Sequence, residues 1–240
     1  TGKRSIMKKN YEMDMCSGPI LGKLLTFTIP LIFSGILQLL FNAADVIVVG
    51  RFAGSQSLAA VGSTTALINL MINIFIGLSV GVNVIVARYY GAKREKDVQD
   101  TIHTAMALSI VSGLFLIIVG QLLSRPMLEL MGTPDDVIDK STIYMRIIFI
   151  GMPANMIYNF GSAILRAVGD TKRPLYFLTA AGVINVVLNL FFVIMFQMDV
   201  AGVALATAIS QAISACLVIL CLMESEGGLK LHLKDLKIHR

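Results

Sequence analysis

The sequence predicts an all-α integral membrane protein, a bundle of six transmembrane helices, and three observations support this. Of the 240 residues, 56% are hydrophobic and only 15% are charged, whereas soluble domains carry about 25% charged residues. The mean hydropathy is correspondingly high, at +0.78. Long apolar runs recur six times and are separated by polar connections. Each run can cross a hydrocarbon core of about 30 Å at about 1.5 Å per residue.

Three segments are expected along the chain. Residues 1–23 form a basic amino-terminal tail, residues 24–223 the six-helix bundle and residues 224–240 a polar carboxyl-terminal tail. The predicted spans are 24–49, 58–87, 101–123, 138–165, 175–198 and 200–223. The stretch 124–136 contains proline and acidic residues, which indicates a connection holding a short interfacial helix.

The basic residues indicate the orientation of the bundle. They concentrate in the two tails and in the connections that follow the second and fourth spans, namely Lys3, Arg4, Lys8, Lys9, Lys23, Arg88, Lys93, Arg94, Lys96, Arg166, Lys172, Arg173, Lys230, Lys234, Lys237 and Arg240. By the positive-inside rule, both termini are cytoplasmic, which requires an even number of spans. Because topology explains this net charge of +5, no nucleic-acid partner is predicted. The three cysteines show no metal-ligand spacing, and we expect them to be structural.

Asp45 is the candidate functional residue, because it is the only charged residue in the span 24–49. Asn42 and Gln38 precede it at spacings that place all three on one helical face. An acidic residue at the centre of a membrane helix costs about 2.5 to 3.5 kcal/mol on insertion scales, so such residues usually face a bundle interior or an aqueous cavity. Desolvation favours the protonated carboxyl, and flanking amide oxygens could instead hold Na⁺. Either chemistry predicts a coupling site.

Pro30 lies in the same span and predicts a kink. Its missing amide hydrogen and its ring loosen a helix locally, and broken helices occur in transporters where they line a cavity. A kinked helix that carries a titratable group can act as a switch biased by protonation. A static packing kink is the alternative.

Other polar residues in the spans have structural interpretations. Asn69, Asn73, Gly77 and Gly81 form a ridge in the second span, which we interpret as a helix-packing contact. His103 lies near the start of the third span, and we interpret it as an interfacial residue rather than a proton relay. We expect the side chain of Arg146 to extend to the nearer membrane surface.

Several motifs together resemble the multidrug and toxic compound extrusion (MATE) family of secondary transporters, from about Met15 to Met223. They are TIPLIFSGILQLLFNAADVIVVGRFAG, SLAAVGSTT, GVNVIVARYYGAK, ILRAVGDTKRP, NVVLN and VAGVALATAIS. The resemblance implies two six-helix lobes around a central cleft and export of cationic or amphipathic compounds against H⁺ or Na⁺. Such a transporter is expected as a multi-pass protein of the plasma membrane, in contact with the lipid bilayer.

The resemblance also implies the site residues. Asp45 matches the acidic residue of the family's amino-terminal cation site, and Asn185 and Asn189 match the pair that accompanies it. Some relatives carry an acidic residue at the second of these positions, so the asparagine leaves one carboxylate, and the choice between H⁺ and Na⁺ stays open. By position, Gln38, Phe41 and Asn42 are expected to line the same pocket.

At 240 residues, the chain corresponds only to the amino-terminal lobe of such a transporter. We therefore expect a second six-helix lobe or a homodimer partner, with this chain supplying the ion-coupling lobe for cation-antiport efflux. Two alternatives stay open: a flippase for lipids or oligosaccharide-lipids, and a non-transporting truncated half. An enzyme is not expected, because the sequence shows no nucleophile with a base, no metal cluster and no phosphate loop. No cofactor is expected beyond the coupling ion.

Overall fold

The computed structural model describes residues 11–225 and 227–238, and its architecture is a bundle of long helices. The main helices are α1 (Ile20–Phe52), α2 (Ser55–Gly91), α3 (Glu95–Leu130), α4 (Asp135–Ile150), α5 (Met152–Ala167), α6 (Lys172–Leu190) and α7 (Asp199–Glu224). A π-helical turn, Phe191–Met195, extends α6, and two short 3₁₀ turns follow α7. Five helices are long and apolar enough to cross a membrane, and α4 with α5 forms a sixth, bent span. The predicted all-α, six-span bundle is confirmed.

The third span is longer than predicted, and the expected connection with an interfacial helix at 124–136 is wrong. α3 continues to Leu130, and only residues 131–134 connect it to α4. This extension contains Pro126, and a proline in a helix interior costs about 3 kcal/mol. Leu128 is fully buried, so packing of the added turns offsets that cost.

The fourth span is not continuous, which the hydrophobic pattern did not predict. α4 and α5 meet at Gly151 with a bend of 49°, and Pro153 lies in the first turn of α5, where proline is tolerated. The helix α3 packs closely on both sides of the bend. A Cβ built on Gly113 would lie 2.3 Å from Cα of Pro153, and one on Gly120 would lie 2.2 Å from the ring of Phe149. Glycines therefore permit this close packing.

The helices α1 and α2 leave an open side on the bundle. Asn69, Asn73, Gly77 and Gly81 of α2 are all exposed, and a Cβ built on either glycine would have nothing within 4 Å. Within the described part of the chain no helix packs on this ridge, so its interpretation as a packing contact is not confirmed there. The ridge faces outward because the other helices pack against different sides of α2.

Both described terminal segments lie at the same end of the bundle, as six spans require. The amide of Met13 donates to the carbonyl of Val168, 3.1 Å away, and the amide of Leu231 donates to that of Leu222, 3.0 Å away. The two segments help to line one cavity of about 910 Å³. The basic residues Lys3, Arg4, Lys8, Lys9 and Arg240 lie outside the described residues.

Candidate functional site

The candidate site begins at the contact between α1 and α6. Asp45 is half-buried on α1, and Nδ2 of Asn189 on α6 donates a hydrogen bond to its Oδ1. Asn189 is completely buried. No other charged residue lies in α1 between Lys23 and Arg51, so this bond gives the carboxylate a polar partner within an apolar part of the bundle.

A chain of hydrogen bonds continues from Asn189 to α7. Nδ2 of Asn189 also donates to Oδ1 of Asn185, 2.9 Å away, because residues four apart lie on one helical face. Nδ2 of Asn185 in turn donates to Oγ of Ser210 at 3.1 Å and lies 3.4 Å from Oγ1 of Thr207. The structure thus links three helices, α1, α6 and α7, through polar side chains.

One acceptor of this chain has no partner in the described structure. Oδ1 of Asn189 is buried and makes no hydrogen bond there, a situation that costs about 1 to 3 kcal/mol. It belongs to the amide group that bonds Asp45. A protonated carboxyl could donate to such an oxygen, and a hard cation such as Na⁺ prefers oxygen ligands of this kind. The arrangement therefore suits the exchange of a proton or a small cation.

The predicted pocket residues around Asp45 differ in their placement. The ring of Phe41 packs against the backbone of Gly182 on α6, where a built Cβ would lie 1.9 Å from the ring. Gln38 and Asn42 are exposed, and neither is among the side chains bonded to Asp45 in the described structure. The ring of Phe41 therefore packs between α1 and α6, while the side chains of Gln38 and Asn42 are exposed.

Pro30 is buried, and α1 continues through it from Ile20 to Phe52. The hydroxyl of Ser34 donates to the carbonyl of Pro30, 2.9 Å away. The hydroxyl of Thr171, in the loop before α6, donates to the carbonyl of Phe27, also 2.9 Å away. The predicted kink position is therefore held by a contact from outside α1.

Three residues of this arrangement, Thr171, Thr207 and Ser210, are not among the site residues expected from the sequence. The spacing of three residues between Thr207 and Ser210 places both hydroxyls on one helical face. That spacing, together with the two asparagines of α6, was the available signal.

A second polar cluster lies at the opposite end of the bundle from the terminal segments. Nζ of Lys140 on α4 lies 2.6 Å from Oδ2 of Asp199 at the start of α7 and donates to Oγ of Ser57, 3.0 Å away. Ser57, at the start of α2, is completely buried and also donates to Asp199. This cluster, which we call the end clamp, joins three helices.

Comparison with known proteins places the site in context. The family model MatE matches residues 30–191, a range that contains Pro30, Asp45, Asn185 and Asn189. The chain is 35% identical over 188 residues to "Probable multidrug resistance protein YoeA" of Bacillus subtilis, covering 77% of this chain and 41% of that protein. It is 27% identical over 208 residues to an "FAD transporter" of Shewanella oneidensis, covering 85% and 46%.

A solved structure shows the same architecture. It is described as "Crystal structure of MATE in the bent conformation" and superposes with a TM-score of 0.85 at 25% sequence identity, covering 93% of this chain and 50% of that chain. The chain thus spans about half the length of the relatives that it matches.

Proposed function

This chain belongs to the MatE family, and we propose that it supplies the ion-coupling lobe of a cation-driven multidrug efflux transporter. The observation that carries the proposal is the bond between Asp45, the one charged residue of α1 between Lys23 and Arg51, and the buried Asn189. The name of the relative YoeA, "Probable multidrug resistance protein", supports the substrate class.

In the proposed mechanism, Asp45 alternates between a free carboxylate and a cation-loaded state. The carboxylate accepts from Nδ2 of Asn189. Loading with H⁺ or Na⁺ removes the charge that strengthens this bond, since charge-assisted hydrogen bonds are about twice as strong as neutral ones. The loaded site then offers a partner to Oδ1 of Asn189. The changed contact between α1 and α6 biases the bend of α1 at Pro30.

The choice of ion depends on the ligands that the site offers. Asp45 supplies one carboxylate, and Asn189 and Asn185 supply amide groups instead of a second acid. A single carboxylate is sufficient for one proton, and its oxygens together with Oδ1 of Asn189 are suitable ligands for Na⁺. We therefore propose one coupling cation per cycle at this lobe, and the transport assay distinguishes the two ions.

We propose that the open side of α1 and α2 faces a second six-helix lobe, supplied by another chain or by a second copy. The chain spans about half of its relatives, and exposed amides such as Gln38, Asn42 and Asn73 lie on these two helices. Polar groups avoid the hydrocarbon core. A cleft between two lobes would hydrate them and admit cationic or amphipathic compounds.

The proposed transporter lies in the plasma membrane with both described terminal segments in the cytoplasm. That end of the bundle carries Lys93 and Arg94 in the connection before α3, and Lys172 and Arg173 in the first turn of α6. Basic loops are retained on the cytoplasmic side. Protonation from outside and substrate entry from inside would then occur at opposite ends of the lobe.

The proposal is tested by efflux of a fluorescent cationic dye from proteoliposomes under an imposed H⁺ or Na⁺ gradient. The chain is assayed alone and together with a second lobe from a relative. Asp45→Asn should abolish gradient-driven export without unfolding the protein. Asp139→Asn is the matched control, because Asp139 is an exposed carboxylate paired with Arg125. Export that persists in Asp45→Asn would contradict the coupling role.

A further inference from the structure

The carboxyl-terminal tail, residues 227–238, docks on the start of α3. Leu229 and Leu231 are buried, with 3% and 2% of their surface exposed. The backbone of Gly228 lies so close to α3 that a built Cβ would be 2.7 Å from the carbonyl oxygen of Glu95. The tail therefore occupies a defined position on the bundle. A change in a side chain that bonds the tail can change that position.

His103 of α3 holds the tail through its imidazole ring. It is 2% exposed, so its side chain packs inside the protein. Nδ1 lies 2.7 Å from the carbonyl oxygen of Gln99, and Nε2 lies 3.0 Å from the backbone nitrogen of His232. The ring is thus bonded to a backbone group on each side.

These two bonds determine the protonation state of the ring. A carbonyl oxygen can only accept a hydrogen bond, and a backbone N–H can only donate one. The ring of His103 must therefore carry its hydrogen on Nδ1 and present a lone pair on Nε2. Only the neutral imidazole satisfies both partners.

Protonation of this ring reverses the contact with the tail. It places a hydrogen on Nε2, opposite the N–H of His232, so the bond is lost and two donors face each other. The rings of His103 and His232 are also stacked, with centroids 6.0 Å apart and an angle of 5° between their planes. We propose that His103 is a proton-sensitive latch that holds the tail when neutral and releases it when protonated.

Other titratable groups lie on the tail, at the start of α3 and at the neighbouring ends of α2 and α5: Lys230, His232, Lys234, Asp235, Lys237, Glu95, Lys96, Asp97, Asp100, Arg88, Tyr89, Tyr90 and Arg166. Arg94 pairs with Asp97 at 2.5 Å. Histidine is the side chain whose ordinary pKa lies between about pH 5 and 8, whereas the ordinary pKa values of carboxyl, lysine, arginine and tyrosine side chains lie outside that range. His103 and His232 are the histidines of the described chain, and the third, His239, lies outside it.

The latch goes beyond the proposed transport function and does not depend on it. It lies at the end of the bundle that carries both described terminal segments, and it involves a residue that is not part of the chain from Asp45 to Ser210. Acidification at that end would release the tail irrespective of the state of Asp45.

Hydrogen–deuterium exchange of the purified chain tests the proposal at pH 7.5 and 5.5, with rates corrected for the intrinsic effect of pH. In the unsubstituted protein, peptides covering 227–238 should exchange about tenfold faster at pH 5.5, the factor that corresponds to losing one good hydrogen bond. In His103→Gln the tail should stay protected at both pH values, because the amide oxygen of glutamine accepts from the His232 N–H regardless of pH. His232→Phe keeps the backbone donor and the stacked ring, so it should retain the response.

Gly228→Ala provides the reference for a released tail. Its added methyl group would collide with Glu95, so the tail should exchange rapidly at both pH values. Peptides from α7 should keep their protection in every variant, which shows that the bundle is folded. Equal tail exchange of the unsubstituted protein at both pH values would overturn the proposal. A pH response that survives in His103→Gln, or that disappears in His232→Phe, would also overturn it.

Discussion

The hydroxyl of Thr171 donates to the carbonyl of Phe27, 2.9 Å away, and ties the loop before α6 to α1 within one turn of Pro30. Asn189, at the far end of α6, donates a hydrogen bond to Asp45, which also lies on α1. The two contacts on α1 lie 18 residues apart, or about 27 Å at 1.5 Å per residue. A bend at Pro30 between them changes their relative position, so bending requires one contact to yield.

Removal of the Thr171 hydroxyl should weaken the first of these contacts. We expect Thr171→Val to lower the free energy of unfolding by about 1 kcal/mol, the usual contribution of one hydrogen bond. Thr171→Ser keeps the hydroxyl and should remain near the unsubstituted value. Thermal unfolding in detergent measures both, and an equal loss in both variants would exclude the hydroxyl as the cause.

The close packing of the Phe41 ring against Gly182 predicts that a methyl group at position 182 destabilises the protein, and that a smaller side chain at position 41 restores part of the lost stability. Gly182→Ala should destabilise the protein by about 1 to 3 kcal/mol, as overpacking does, because the added methyl group would meet the ring. Gly182→Ala combined with Phe41→Leu should recover part of that loss, since the ring is removed. Gly35→Ala, where nothing lies within 4 Å of a built Cβ, is the control and should have little effect. The measurement is the unfolding midpoint in detergent.

Loss of the amide group of Asn189 should lower stability and export more than loss of the amide of an asparagine outside the site. Asn189→Leu leaves Asp45 and Asn185 without their donor, so we expect a loss of about 1 to 3 kcal/mol and no gradient-driven export. Asn159 also donates to an asparagine one turn away, at 2.8 Å. Asn159→Leu should retain export in the dye assay. Normal export by Asn189→Leu would remove Asn189 from the coupling site.

The end clamp should contribute modestly to stability. Lys140→Met removes the ion pair with Asp199 and the donor to Ser57. The two charged side chains are about one-third exposed, and solvent screens such pairs, so we expect a loss of about 1 kcal/mol or less. Arg125→Met, which breaks more exposed pairs with Asp139 and Glu129, should cost less. Unfolding at low and high salt compares them, and the difference should shrink as salt is raised.

The sequence predicts the spans and the helical faces, but not the bend at Gly151 or the length of α3. Hydropathy predicts the six spans, because a bilayer demands long apolar runs, and the four-residue spacing predicts that Asn185 and Asn189 share a face. The same hydropathy does not detect the bend at Gly151, since a broken span is as apolar as a straight one. The extension of α3 past Pro126 depends on the burial of Leu128, a tertiary effect.

The residues of the candidate site could be predicted, but the direction of their hydrogen bonds could not. Resemblance to a family suggested that Asp45, Asn185 and Asn189 would meet, and the structure brings them together. The unpaired Oδ1 of Asn189 could not be predicted, because the direction of each amide depends on all of its neighbours at once. The role of His103 was missed because its partner is a backbone amide of a distant segment, which no side-chain pattern reveals.

The exposed ridge of α2 has a consequence for experiments on the isolated chain. Asn69 and Asn73 face outward, and hydrocarbon offers amides no partner, while Gly77 and Gly81 leave room for another backbone. Copies of the chain in a bilayer should therefore take part in an association equilibrium along this ridge. The fraction of associated chains should then depend on the protein-to-lipid ratio. Dilution in lipid should lower that fraction, even when the sequence and fold of the chain are unaltered.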